Sequence, residues 1–147
     1  MKNIEEVYPE HTKEYNETGS FYGPGEYTPM LESYGYQIVI KVDDSDYQGD
    51  SRLLYKDGTR YGLLIFGWGS CSGCDALQGC SSIDDLRELQ KRLHDDIKWF
   101  ASAKEALRYF QAHDWVGDYS WHADETREFV SKGTEYLRKE AMREEAP

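Results

Sequence analysis

The sequence predicts an α+β fold, a three-stranded antiparallel meander over about 36–68 followed by three helices packed on it. Three observations carry this. Apolar residues alternate with a period of two from Tyr36, the spacing changes to three or four after residue 70, and no proline interrupts the chain between Met30 and Pro147. A length of 147 residues suits one domain. The division read here is an irregular N-terminal arm, 1–33, and a single α+β domain, 34–147.

The arm is polar and aromatic, and Pro9, Pro24, Pro29 and Gly23-Pro24-Gly25 punctuate it. Ile4 and Val7 could start a short helix there. The first strand is marked by Tyr36, Ile38, Ile40 and Val42 alternating with Gln37, Val39 and Lys41. After the polar loop from Asp43 to Asp50, Arg52–Lys56 gives a second strand. Asp57-Gly58 then signals a type I′ hairpin into a third strand over 60–68. Leu63, Leu64, Ile65 and Phe66 are apolar on both faces of that strand, which predicts a central or covered position.

Ile83, Leu86, Leu89, Leu93, Ile97 and Phe100 form one stripe of an amphipathic helix over 82–100, and Ser82 with Asp85 caps it. Trp99 lies about 200° around that helix from Ile97, so the two cannot share one core. Ser102 with Glu105 opens a second helix carrying Ala106, Leu107 and Phe110. A third covers about 123–142, with Phe129, Val130, Tyr136 and Leu137 inward and Glu128/Lys132 and Glu135/Lys139 pairs on its wet face.

Composition narrows function. There are 28 Asp+Glu against 17 Lys+Arg, a formal charge of −11, which excludes a broad face for nucleic acid or anionic lipid. Aromatics at 14% indicate a folded chain and not an acidic tail. Glu5, Glu6, Glu10, Glu14 and Glu17 are incompatible with a signal peptide, and no apolar run approaches the roughly 20 residues of a bilayer span. The three cysteines, an odd number clustered between 71 and 80, fit a reducing cytoplasm better than a disulfide framework.

The loop Gly67-Trp68-Gly69-Ser70-Cys71-Ser72-Gly73-Cys74-Asp75 is the most informative stretch. Cys71-x2-Cys74 has the spacing for two thiolates on one zinc, with Cys80 as a third ligand and His94, His113 or His122 as a fourth. A strand, CxxC, helix order superficially suits thioredoxin chemistry, but that fold needs later strands and a proline facing the dithiol. A dithiol of another kind stays open, as does a nucleophilic cysteine with His94 or His122 as base. The competing reading is structural, small cysteines packed in a tight loop. No Arg or Lys lies between Trp68 and Leu86, which disfavours a phosphate loop.

Two other patterns fail on inspection. Asp44-x-Asp46-x-x-Gly49 imitates half of a calcium loop, but its twelfth position is Tyr55 where a bidentate Glu is required. His122-Ala123-Asp124 lacks the glutamate and the following Pro-Cys-x-x-Cys of zinc deaminases. Asp124 and Glu125 suit the first turn of a helix.

The Gly-Ser-Cys-Ser-Gly-Cys-Asp stretch, within residues 61–77, resembles a motif of small uncharacterised proteins of bacteriophages and their hosts. The resemblance implies a phage or mobile-element origin and no particular chemistry. With no complete catalytic signature, the expected function is binding: a small acidic interaction protein that engages, and in doing so inhibits, a host protein with a basic or nucleic-acid-binding surface. It makes no contact with nucleic acid or membrane. The expected contact residues are Asp84, Asp85, Glu88, Asp95 and Asp96, with Trp115 and Trp121 as aromatic anchors. No cofactor is expected on this reading. The alternatives are a thiol or redox enzyme using Cys71, Cys74 and His94, and a zinc-stabilised binding module held by Cys71, Cys74, Cys80 and His94.

Overall fold

The computed structural model describes residues 1–115 and 122–146. Among them, in chain order, are α1 (Ile4–Val7), α2 (Pro9–Thr18), α3 (Thr28–Glu32), β1 (Gln37–Asp43), β2 (Gly49–Asp57), β3 (Arg60–Trp68), α4 (Ile83–Asp95), β4 (Lys98–Phe100), α5 (Ala103–Ala112) and α6 (Ala123–Glu145). The class is α+β. The chain forms two compact units, one of residues 1–36 and 67–96, the other of residues 37–66 and 97–147.

In the first unit, the segment expected to be an irregular arm instead holds three helices. Pro9 and Pro29 sit in the first turns of α2 and α3, where a missing N–H costs nothing and the fixed φ favours the helix. These prolines start helices where the sequence reading took them as breaks. Gly19 closes α2 in the left-handed region at φ +84°.

Helix α4 buries Ile83, Leu86, Leu89 and Leu93 along one face, as its stripe predicts. The Ser82 hydroxyl accepts from the Asp85 N–H at 3.1 Å. Gln90 is buried as well. Its amide donates to the Lys2 carbonyl and the Ser33 hydroxyl, each at 2.9 Å, while Tyr34 Oη donates to the Gln90 carbonyl at 2.7 Å. Leu93→Ala is expected to lower the unfolding free energy by about 2–5 kcal/mol, a large-to-small core change measurable by chemical denaturation. A loss below about 1 kcal/mol would show that Leu93 carries no core packing.

The second unit contains the sheet, in the order β1-β2-β3-β4 and antiparallel in its β1–β2 and β3–β4 pairs. β3 is internal, as its two apolar faces predict. The fourth strand is a correction: the helix expected over 82–100 ends at Asp95, and 98–100 pairs with 61–63. Extended backbone removes the conflict between Ile97 and Trp99, because residues two apart share a face of a strand. A Cβ on Gly62, the partner of Trp99, would lie 2.6 Å from Ile97 and 2.9 Å from the Trp99 ring, so glycine makes room for both. Arg60 stacks over Trp99 at 3.8 Å. The hairpin is also corrected. Gly58 has φ +61°, while neither Asp57 nor Thr59 has a positive φ, so the turn is not type I′.

Helices α5 and α6 share the sheet's core, which includes Leu54, Tyr61, Leu63, Phe100, Phe110, Phe129 and Leu137. The Ser102 hydroxyl caps α5 by accepting from the Glu105 N–H at 3.2 Å. Glu144 of α6 adds an acceptor for the Ala103 N–H at 2.7 Å. Gly133 lets α6 come against the Phe110 ring, which a Cβ there would meet at 2.4 Å. Of the three helices expected on the sheet, α5 and α6 pack on it, whereas α4 belongs to the first unit.

Candidate functional site

The loop after β3 is organised by one carboxylate. Asp75 is buried, and its Oδ1 accepts from Tyr27 Oη at 3.0 Å, the Leu77 N–H at 2.9 Å and the Gln78 N–H at 3.0 Å. Its Oδ2 accepts from the Gly69 N–H at 2.8 Å. The Gln78 amide donates back to the Gly69 carbonyl at 2.9 Å. The glycines permit this closeness. A Cβ on Gly69 would lie 2.7 Å from the Cys74 sulfur, and one on Gly23 would lie 2.2 Å from the Leu77 carbonyl oxygen.

On this frame Cys71 and Cys74 stand exposed and Cys80 buried, all as free thiols. The Cys74 N–H donates to the Cys71 carbonyl at 3.1 Å, closing a turn. In return the Cys71 N–H donates to the Cys74 sulfur at 3.0 Å. The neighbouring Cys71 side chain first, then the surrounding Cys71 and Ser70 polar groups, hold the Cys74 thiol below its ordinary range. The Cys74 and Cys80 thiols each donate to a carbonyl at 3.3 Å, that of Cys71 and Ala76 respectively, but Cys80 is buried, and burial pushes its thiol up to about 11. A groove of about 430 Å³ opens beside Cys74 and Cys80, with Asp85, Glu88 and Arg92 on its wall.

His94 is elsewhere, hydrogen-bonded to Tyr36 Oη at 2.8 Å and in edge contact with Tyr34. Cys71, Cys74, Cys80 and His94 therefore do not converge as a ligand set. Among the described residues, three His, Cys, Asp or Glu side chains bring ligand atoms within 4.8 Å of one another only at Asp44, His122 and Glu125.

That trio belongs to an ion-pair network in the second unit. Asp44 and Arg52 are both fully buried and paired at 2.8 Å through Asp44 Oδ1, while Asp44 Oδ2 accepts from the Asp50 N–H at 2.7 Å. Gly49 makes room, since a Cβ there would lie 2.6 Å from the Asp44 side chain. His122, with φ +58°, approaches Asp46 at 3.7 Å, Asp44 at 3.9 Å and Glu125 at 4.0 Å. The half-calcium pattern Asp44-x-Asp46-x-x-Gly49 thus serves a different end: Asp44 turns inward to an arginine. Neither protein-family models, curated proteins nor solved structures yield a match to this chain.

The expected acidic contacts Asp84, Asp85, Glu88, Asp95 and Asp96 are all exposed on α4 or at its end. Three of them already have local roles. Asp84 pairs with Arg87 at 3.0 Å and Asp95 with Lys91 at 2.7 Å, while Asp85 accepts from the Ser81 N–H at 3.0 Å. Trp115 is a correction. It is buried, its indole N–H donates to the Phe110 carbonyl at 2.9 Å, and Phe110 and Phe129 pack against it. It is core and no contact residue. Trp121 lies outside the described residues.

Reading the sequence missed Ser70, Asp75 and Arg52. Asp75 had a legible signal, because an Asp beside a Gly-rich turn commonly accepts the N–H two residues on.

Proposed function

We propose that this protein is an acidic binding module that engages a protein with a cationic surface of the kind that otherwise holds nucleic acid. The observation that carries this reading is the charge of −11 on a folded chain, with Asp84, Glu88, Asp95 and Asp96 presented on the exposed side of α4. Exposed carboxylates attract a basic partner at long range and speed encounter, and salt screens them beyond roughly 8 Å at physiological ionic strength. The resemblance of the cysteine loop to phage proteins supports a host protein as the partner and inhibition as the outcome.

The test reverses charge where the fold does not use it. Asp84→Lys, Glu88→Lys, Asp95→Lys and Asp96→Lys are combined and Asp85 is kept, because it caps α4. The Asp84 and Asp95 pairs are exposed and contribute little to stability, so the melting temperature should stay near the parent's. Immobilised parent protein should capture a basic protein from a bacterial lysate at low salt and release it at high salt, and the variant should capture far less. Equal capture by both proteins at low salt would defeat the acidic-surface reading.

A further inference from the structure

We propose that Cys74 and Cys71 form a thiol–disulfide exchange centre, with Cys74 as the attacking sulfur and Cys71 as the resolving one, acting on disulfides that carry positive charge beside the S–S bond. The assignment of roles follows from the loop. Cys74 Sγ receives the Cys71 N–H at 3.0 Å, so negative charge on that sulfur is met by a fixed backbone donor, and the thiol proton it would give up points to the Cys71 carbonyl at 3.3 Å. The lowered thiol of Cys74 agrees with this placement. Cys80 is excluded from the chemistry by its burial.

A disulfide between the two is within reach. The hydrogen bond from the Cys74 N–H to the Cys71 carbonyl makes 71–74 a turn, in which the first and fourth Cα atoms lie within about 7 Å. Disulfides bridge Cα atoms about 4.4–6.8 Å apart. In the first step the Cys74 thiolate attacks one sulfur of the substrate disulfide. A mixed disulfide forms at Cys74, the substrate S–S bond breaks, and the expelled thiolate takes a proton from water. In the second step the Cys71 thiol gives its proton to water, the resulting thiolate attacks Cys74 Sγ, the mixed disulfide breaks, and the other half leaves as a thiolate that takes a proton from water. The substrate is reduced by two electrons to two thiols, and the protein is oxidised by two electrons to a Cys71–Cys74 disulfide.

Charge selects the substrate. The groove beside Cys74 presents Asp75, Asp85 and Glu88 against Arg92 alone, on a chain of net charge −11. A cationic disulfide is drawn into that field and an anionic one is repelled.

The experiment uses the full chain with cystamine, a dication, and dithiodipropionate, a dianion of similar length. Cystamine should remove two thiols from the parent, and peptide mapping should place the new bond between Cys71 and Cys74. Its rate should exceed that of dithiodipropionate by about tenfold or more at low ionic strength, and the ratio should fall as salt is added. Cys71→Ser should stop at a mixed disulfide on Cys74. In unsubstituted protein, iodoacetamide should label Cys74 first and Cys80 last, a reading that needs no variant to fold. Initial labelling at Cys71 or Cys80, a mixed disulfide in Cys71→Ser that sits elsewhere, or equal rates for the two disulfides would overturn the proposal.

Discussion

Asp44→Ala is expected to lower the unfolding free energy by about 3–5 kcal/mol, because it takes from a buried guanidinium the carboxylate that hydrogen-bonds it. Arg52 is fully buried. Its Nη1 donates to Asp44 at 2.8 Å, while Nε and Nη2 have no acceptor among the described residues, so Asp44 supplies the one carboxylate that hydrogen-bonds the guanidinium there, with the Asp50 charge nearby. Asp44 also anchors the β1–β2 loop, accepting from the Asp50 N–H while its own N–H donates to the Asp50 carbonyl at 3.0 Å. Asp44→Asn keeps the shape and loses the charge, and an intermediate loss is expected. Arg52→Met alone strands the carboxylate and should cost about as much as Asp44→Ala. The double variant Asp44→Asn/Arg52→Met removes both buried charges and should recover much of the loss, which a double-mutant cycle by urea denaturation would measure. Additive losses in the cycle would show that the two residues act independently and that the pair is not what holds the loop.

That pair also shows where sequence reading stops. An arginine inside an alternating strand reads as a solvent-facing residue, because arginine is rarely buried unless paired. Its partner lies eight positions earlier in a polar loop, in a pattern that also fits half a calcium site. Local signals fared better. The caps at Ser82 and Ser102, the stripe of α4 through Leu93 and the covered third strand were all legible, because each is fixed by residues a few positions apart. β4 was hidden by coincidence. Ile97 and Phe100 continue the helical spacing of α4, and only the misfit of Trp99 betrays a strand that needs its distant partner, 61–63, to exist. The prolines of the N-terminal helices were visible, but a proline breaks a helix interior and favours a first turn, and composition does not say which. In the cysteine loop the sequence displayed the sulfurs. It did not display which one collects the hydrogen bonds, since that depends on how Asp75 folds the backbone around them.

Asp75→Ala is therefore expected both to destabilise the fold, by about 3–5 kcal/mol, and to change the chemistry of the loop. The carboxylate accepts four hydrogen bonds, from Tyr27, Leu77, Gln78 and Gly69. Hydrogen bonds to a charged acceptor are worth about 1.5–3 kcal/mol each, and removing a shared acceptor weakens all four at once, although the Leu77 N–H keeps Tyr27 Oη at 3.2 Å. Relaxation of the loop keeps the total below the sum. Asp75→Asn offers an oxygen to the three donors at Oδ1 but turns its NH₂ toward the Gly69 N–H, donor against donor, so it should lose less than alanine and still a measurable amount. Tyr27→Phe removes one donor to Asp75 and a second acceptor for the Leu77 N–H, which keeps Asp75, and should cost about 1 kcal/mol. The order alanine, asparagine, then Tyr27→Phe is read from urea denaturation midpoints. A second readout separates this local role from general loosening. Once Gly69 is released, the turn that aims the Cys71 N–H at the Cys74 sulfur loses its frame, so the Cys74 thiol should return toward its ordinary range. Iodoacetamide labelling under native conditions should then slow at Cys74 near neutral pH and quicken at Cys80. If Asp75→Ala unfolds within about 1 kcal/mol of the parent, or leaves the Cys74 labelling profile unchanged with pH, the carboxylate does not organise the loop.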